Sequence, residues 1–320
     1  MRLALIDLGS NSARMYLLCI EPDGTVRYLS KDRVMTRLSE GMGPEKQLKE
    51  IPMRRTIAVL RGFAEKIRQA DANVLAVATA AVRAAQNGAA FCAAVEAETG
   101  IRLRVITGKQ EAALDFAGVM SGLPEIADCL ITDTGGGSTE LILVKNRQIT
   151  AKTSLPFGAV SLFEAYPPDR ALPGNALRQA AHRLSRAFAE TGFLAGAGKL
   201  PIVGLGGSIC SLFPADQNLF CTNPAGDLNG YCLARGRVTE LLRRLASLSP
   251  TERIDAAIEP GRADTVCHGI LPTAVLMERL CSPGLILSSA GLREGLLAKI
   301  MENGPEYNMK NVELFLLDSV

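Results

Sequence analysis

Residues 129–144 read CLITDTGGGSTELILV: an apolar run ends at Asp133, passes through Gly135, Gly136 and Gly137, and resumes at Glu140. Three consecutive glycines weaken any regular element, so the stretch predicts a turn whose bare backbone must approach something closely. Residues 3–18, LALIDLGSNSARMYLL, align with it without a gap, 126 positions upstream. Asp7 falls on Asp133, Gly9 on Gly135 and Ser12 on Ser138. Both copies predict a β-hairpin with an acidic, glycine-bearing tip, and duplication explains the shared pattern.

The repeat divides the chain. One lobe is expected over residues 1–124, joined by a C-terminal helix at about 292–320, and a second over 125–291, after the break GLPE. Between the hairpins, helical periodicity at 53–70, 89–100 and 109–122 alternates with strand-like runs at 73–79 and 101–106. The second half continues with strands at 148–155, 200–207 and 284–289. Helices are expected there at 174–192, 261–280 and 292–300. The fold class predicted is therefore α/β: two lobes, each opened by an acid-tipped hairpin, with a cleft between them.

Composition narrows the function. With 320 residues and 48% hydrophobic content, the chain can build two cores. No window approaches the ~18 apolar residues of a membrane helix, and the N-terminus turns acidic too soon for a signal peptide. A soluble, cytoplasmic protein with no membrane partner is expected. A net charge of +2 argues against a nucleic-acid-coating protein, although arginines cluster at 178–188 and 234–244, on what read as solvated helix faces. The eight cysteines contain no C-x-x-C pair and read as reduced, packed thiols. With only His182 and His268 present, a Ser-His-Asp triad or a His-rich metal cluster is a poor fit. Carboxylates and glycines must carry the chemistry.

Glycine turns expose backbone N–H groups that bind anions, phosphate above all. Three such turns follow strand-like runs: Gly9, Ser10, Asn11 and Ser12; Gly135, Gly136, Gly137, Ser138 and Thr139; and Gly206, Gly207 and Ser208. Condensed phosphates travel with Mg²⁺, a hard cation that takes oxygen ligands. Asp7 and Asp133, one on each tip, are candidate ligands facing each other across the cleft, with Glu140 a third. A monovalent cation such as K⁺ is a further candidate. Aspartate also serves turns through side-chain-to-backbone hydrogen bonds, and a lone D-x-G would carry only that meaning. Glu111, read alone, fits a helix start in which Thr107 and Gln110 form a capping box.

These stretches resemble the Ppx/GppA family of exopolyphosphatases and guanosine pentaphosphate phosphohydrolases, in its short form, within the actin-like ATPase superfamily. The resemblance runs through IDLGSNSARM, TRLSEGM (36–42), ATAAVRAAQNG (78–88), ITGKQEAALDF, DTGGGSTEL, SLPFGAVSLFE (154–164), GLGGS, GRAD (261–264) and GLREGLL (291–297). It implies actin-like, ribonuclease H-like lobes and hydrolytic release of a terminal phosphate from polyphosphate, or of the 5′ γ-phosphate from guanosine pentaphosphate. Polyphosphate and guanosine penta- or tetraphosphate are the implied partners, and a homodimer is an option. The resemblance also implies that Glu111 is the catalytic base, that Asp133 and Glu140 are metal-linked, and that Arg83 meets phosphate; a helix-start salt bridge is the competing role for Arg83. Three positions depart from the family pattern: Gln110 stands for Glu, and Ala113 and Ser161 stand for Arg, which removes positive charge from a polyanion's path. A non-catalytic alarmone or polyphosphate sensor and a kinase of the same superfamily are the rival readings. The apolar tail after residue 302 suggests packing or a subunit contact.

Overall fold

The structure is a computed structural model that describes residues 1–168, 174–220 and 226–302. The expected C-terminal tail lies outside the described residues, as does most of the loop expected at 166–174. The chain divides into two compact units, residues 1–118 with the chain from Leu292 onward, and Val119–Gly291.

The first unit is built on a five-stranded sheet of β1 (Arg2–Leu8), β2 (Ser12–Ile20), β3 (Val26–Met35), β4 (Asn73–Ala78) and β5 (Leu103–Val105), in the order β3-β2-β1-β4-β5. β1 runs antiparallel to β2 and parallel to β4. Side chains of a strand alternate between faces, and β1 shows it. Ala4, Ile6 and Leu8 join one apolar cluster with Leu60 and Phe63 of α1 (Glu50–Ala70) and Phe91 and Val95 of α3 (Gly88–Thr99). Leu3 and Leu5 join the opposite cluster with Leu114 of α4 (Gly108–Gly122) and Leu292, Leu296 and Ile300 of α12 (Leu292–Met301). Helix α3 ends at Gly100, whose φ of 73° is the left-handed stop expected of that glycine.

The second unit repeats the topology. Its sheet contains β6 (Cys129–Thr134), β7 (Thr139–Lys145), β8 (Gln148–Leu155), β9 (Ile202–Leu205), β10 (Cys232–Ala234) and β11 (Gly284–Leu287), ordered β10-β11-β9-β6-β7-β8. Strands β8-β7-β6-β9-β11 repeat β3-β2-β1-β4-β5, with β10 added at one edge. Around the sheet lie α5 (Ala159–Ala165), α6 (Asn175–Glu190), α7 (Gly207–Cys210), α8 (Leu212–Phe220), α9 (Arg235–Ser247), α10 (Pro250–Asp255) and α11 (Val266–Arg279). The α/β class and the duplication expected from the sequence are both present.

The repeat extends to its irregularities. The β2–β3 pairing slips between Leu17 and Leu18, and the β7–β8 pairing slips between Leu143 and Val144, again 126 positions apart. A bulge bends its strand and raises the local twist, so the two hairpins curl at the same point.

Some expectations change at element ends. The helix expected from 261 begins at Val266, after a 3-10 turn at Pro260–Arg262. Strand β3 carries no core stripe, because it is an edge strand exposed on both faces. Of the cysteines, Cys129 and Cys267 are buried, and burial pushes their thiols up to about 12 and about 11. Cys232 and Cys281 are exposed instead. No described helix is long and apolar enough to cross a membrane.

Candidate functional site

The two tips close with the same hydrogen bond. Gly9 N–H donates to Ser12 O at 3.0 Å, and Gly135 N–H donates to Ser138 O at 3.0 Å. The carbonyls of each turn are then captured by the segment that follows the hairpin's third strand. In the first unit, Ser39 N–H donates to Ser10 O at 3.0 Å and Arg37 N–H to Asn11 O at 2.9 Å. Arg37 adopts a left-handed φ of 49° to do so. In the second, the N-terminus of α5 does this work. Ala159 N–H donates to Gly135 O at 2.8 Å and Val160 N–H to Gly136 O at 2.9 Å.

A trans peptide points its C=O and the following N–H in opposite directions. Capturing the carbonyls therefore turns the N–H groups of Asn11, Ser12, Gly136 and Gly137 outward, as an anion cradle requires. The close approach of α5 depends on Gly158. A Cβ there would lie 2.5 Å from Gly135 O, 2.7 Å from Gly136 C and 2.8 Å from Gly137 N.

The third glycine turn joins the second tip. Gly206 sits at φ 90°, and a Cβ on it would lie 2.8 Å from Asp133 Oδ1 and 2.7 Å from Thr134 O. Buried Arg262 packs its guanidinium against Gly207 and receives support from Glu259 Oε2 at 2.9 Å. Arg262 belongs to the GRAD stretch, and no local pattern there places it on this turn.

The charges of the two tips differ. Asp7 is the cross-strand partner of Arg14. Asp133 is the cross-strand partner of Glu140, which is only 1% exposed and accepts a 2.7 Å hydrogen bond from Ser154 Oγ. Like charges opposite one another in an antiparallel pair are destabilising, and a buried carboxylate needs compensation. Two hard oxygen donors held side by side suit Mg²⁺, which takes one or two carboxylates and completes its shell with water and phosphate. Among the described residues, no group of three or more His, Cys, Asp or Glu side chains is arranged to hold a metal.

Glu111 lies in the first turn of α4 and is 7% exposed. The helix start has the capping box expected of Thr107 and Gln110. Gln110 Oε1 accepts from Thr107 N–H at 2.7 Å and Gln110 N–H donates to Thr107 Oγ1 at 3.2 Å. The substitution at 110 thus keeps the cap and drops a charge beside Glu111. Arg83, on α2 (Ala80–Ala84), donates from Nη1 to Glu111 Oε2 at 2.9 Å and to Ile106 O at 2.8 Å. The salt bridge considered for Arg83 is therefore formed, and its partner is Glu111 itself. Ser161 likewise acquires a local task, accepting from Gly158 N–H at 2.9 Å at the start of α5. Asp115, fully buried one helical turn after Glu111, was not singled out in the sequence. Its i, i+4 spacing from Glu111 was the available signal.

The chain matches the family model described as "Ppx/GppA phosphatase family" over residues 20–304. It is 26% identical over 316 residues to a guanosine-5′-triphosphate,3′-diphosphate pyrophosphatase of Photobacterium profundum, covering 96% of this chain and 61% of that relative. The chain thus spans about three-fifths of that relative's length. Its fold is shared with an exopolyphosphatase from Cytophaga hutchinsonii, at a TM-score of 0.87 and 23% identity, covering 95% of this chain and 98% of the other. A Ppx/GppA family member from Aquifex aeolicus aligns at a TM-score of 0.73 and 28% identity, covering 93% and 96% of the two chains.

Proposed function

Because the chain belongs to the Ppx/GppA phosphatase family, we propose that it is a phosphohydrolase releasing terminal orthophosphate from inorganic polyphosphate, the 5′ γ-phosphate from guanosine pentaphosphate, or both. The observation that carries this reading is the setting of Glu111. It is a buried carboxylate at a helix start whose capping is done by its neighbour, and it is held by Arg83. A capping role would not need a carboxylate beside the Gln110 amide, whereas a general base needs a fixed orientation and shielding from bulk water.

In this reading Arg83 fixes one carboxylate oxygen of Glu111, and the carboxylate takes a proton from the water attacking in line at phosphorus. Such a base contributes typically ~10²–10⁴ in rate. The N–H groups of Gly136 and Gly137 donate to phosphate oxygens and gain strength as charge develops, and those of Asn11 and Ser12 offer the same chemistry on the first tip. Asp133 and Glu140 would hold Mg²⁺. Held there, Mg²⁺ would supply positive charge to the phosphoryl oxygens. Ser161 and Ala113 leave fewer cations for a long substrate than the family pattern provides.

The test is a phosphate-release assay with Mg²⁺ on short polyphosphate, long polyphosphate and guanosine pentaphosphate side by side. Glu111→Gln should fold with unchanged circular dichroism and lose about 10²-fold or more in kcat. Wild-type turnover by that variant would remove the base assignment. Tight nucleotide binding without phosphate release would support a sensor instead. Phosphorylation of an acceptor from ATP would support a kinase.

A further inference from the structure

The two arginine clusters of the sequence have different surroundings. On α9 the cluster is internally compensated. Glu240 accepts from Arg243 Nη2 at 2.7 Å and from Arg244 Nε at 3.0 Å, and Asp216 lies 3.4 Å from Arg237 Nε. The guanidinium carbons of Arg237 and Arg244 sit 3.9 and 4.3 Å from the Phe220 ring centroid. Those arginines bind α8 to α9.

Helix α6 is built differently. Ala176, Ala180, Leu184 and Phe188, spaced by four, bury one face in the core. Arg178, His182, Arg183 and Arg186 are exposed on the other. At 100° per residue they fall within an arc of about 140°. Glu190 is the acid of this helix, and it lies 3.9 Å from Arg186 with both side chains well exposed, a contact that water screens. Among the described residues, the guanidinium groups of Arg178 and Arg183 have neither a hydrogen bond nor an ion pair. Arg279 of α11 extends the patch, its Nη1 donating to Ser185 Oγ at 2.6 Å. Arg183 and Arg186, three apart, repel each other. A chain of net charge +2 has no general excess of cations to explain such a face.

We propose that this face of α6, completed by Arg279, is an accessory track for a linear polyanion, inorganic polyphosphate, and this rests on the substrate class proposed above. Arg178 and Arg186 stand about 12 Å apart along the helix axis, so the track spans several phosphates of one chain. Guanidinium groups pair with phosphate oxygens in bidentate fashion. Phe188 is fully buried, so the face presents no Phe, Tyr or Trp ring and leaves a nucleic-acid base only His182 and the guanidinium planes to stack on. Nor does α6 present an exposed large hydrophobic side chain for insertion into a bilayer. The track gives chain-length preference a basis, because a short chain meets fewer of its arginines at once.

Binding of end-labelled long-chain polyphosphate tests the proposal, using wild type, the triple variant Arg178→Gln/Arg183→Gln/Arg186→Gln, and Glu111→Gln. All three arginines are exposed, so the triple variant should retain the wild-type melting temperature. It should bind long chains about tenfold more weakly at low salt, with a flatter salt dependence, while tripolyphosphate binding stays unchanged. Glu111→Gln should bind long chains as wild type does. The track is refuted if the triple variant binds long chains normally, or loses tripolyphosphate equally. Tighter binding of single-stranded DNA or anionic vesicles through the same arginines also refutes it. A wild type that releases no phosphate would overturn the proposed hydrolysis, yet the binding comparison would still decide the track.

Discussion

The hairpin tips at Asp7 and Asp133 share their turn, their bulge and their spacing, and they differ at the residue facing the aspartate. Arg14 occupies that place in the first copy and Glu140 in the second. One duplicated scaffold therefore sets an arginine opposite the aspartate on one tip and a second carboxylate on the other, and Arg14 Nε donates to Ser12 Oγ of its own turn at 3.2 Å. Both tips close with the same Gly-to-Ser backbone hydrogen bond, and both have two turn carbonyls captured from outside the hairpin. The second tip is the one that sets two carboxylates, Asp133 and Glu140, opposite one another in the strand register. The clamps diverge as well: a tight turn at Arg37–Ser39 holds the first loop, and the N-terminus of α5 holds the second.

The largest effect expected from this contrast concerns metal. Asp133→Asn and Glu140→Gln should each raise the Mg²⁺ concentration for half-maximal phosphate release by on the order of tenfold or more, since ligand charge sets affinity for hard cations. Asp7→Asn should move it much less, because Arg14 already faces that carboxylate. Equal shifts for Asp7→Asn and Asp133→Asn would erase the distinction between the tips. Next comes the clamp. Gly158→Ala places a methyl group against three backbone atoms of the second loop and should destabilise the protein by roughly 1–3 kcal/mol. Gly9→Ala meets its nearest atom at 3.5 Å and should cost less. Thermal melts of the two variants measure the difference directly. Smaller again is the cap. Ser161→Ala removes the hydroxyl that receives Gly158 N–H, with an expected loss of ~1 kcal/mol, and an unchanged melting temperature would show that α5 needs no such closure.

The hairpins, the helix–strand alternation and the α/β class were legible because strand period, helical period and turn chemistry agree over those stretches. The repeat was legible because Asp, Gly and Ser recur at one spacing. Arg262 and the clamp at 158–161 were not, since each acts through a close approach of segments distant in sequence, which no local pattern reports. Gln110 shows a further limit. As a departure from a family pattern it reads as lost chemistry, while the capping box it forms with Thr107 was legible in the local spacing and is present. Strand β3 was missed because an exposed edge strand lacks the alternation by which strands are recognised.

The smallest effect separates the tips by pH. His268 of α11 is buried, packs edge-on against Phe163 of α5 with ring centroids 5.4 Å apart, and places Nε2 2.9 Å from Tyr166 O at the end of that helix. Burial pushes its pKa below the ordinary value of 6.5. A histidine with a lowered folded-state pKa binds its proton more readily in the unfolded chain. Its contribution to stability is therefore complete above pH 6.5 and is lost as pH falls from there through the folded-state value. Because His268 supports α5, and α5 holds the carbonyls of Gly135 and Gly136, protonation should loosen the second tip and leave the first clamp intact. Hydrogen exchange between pH 7.5 and 5.5 should show protection falling in 158–166 while 36–39 holds steady. His268→Gln should flatten that fall, and parallel losses in both clamps would instead assign the pH effect to the whole molecule.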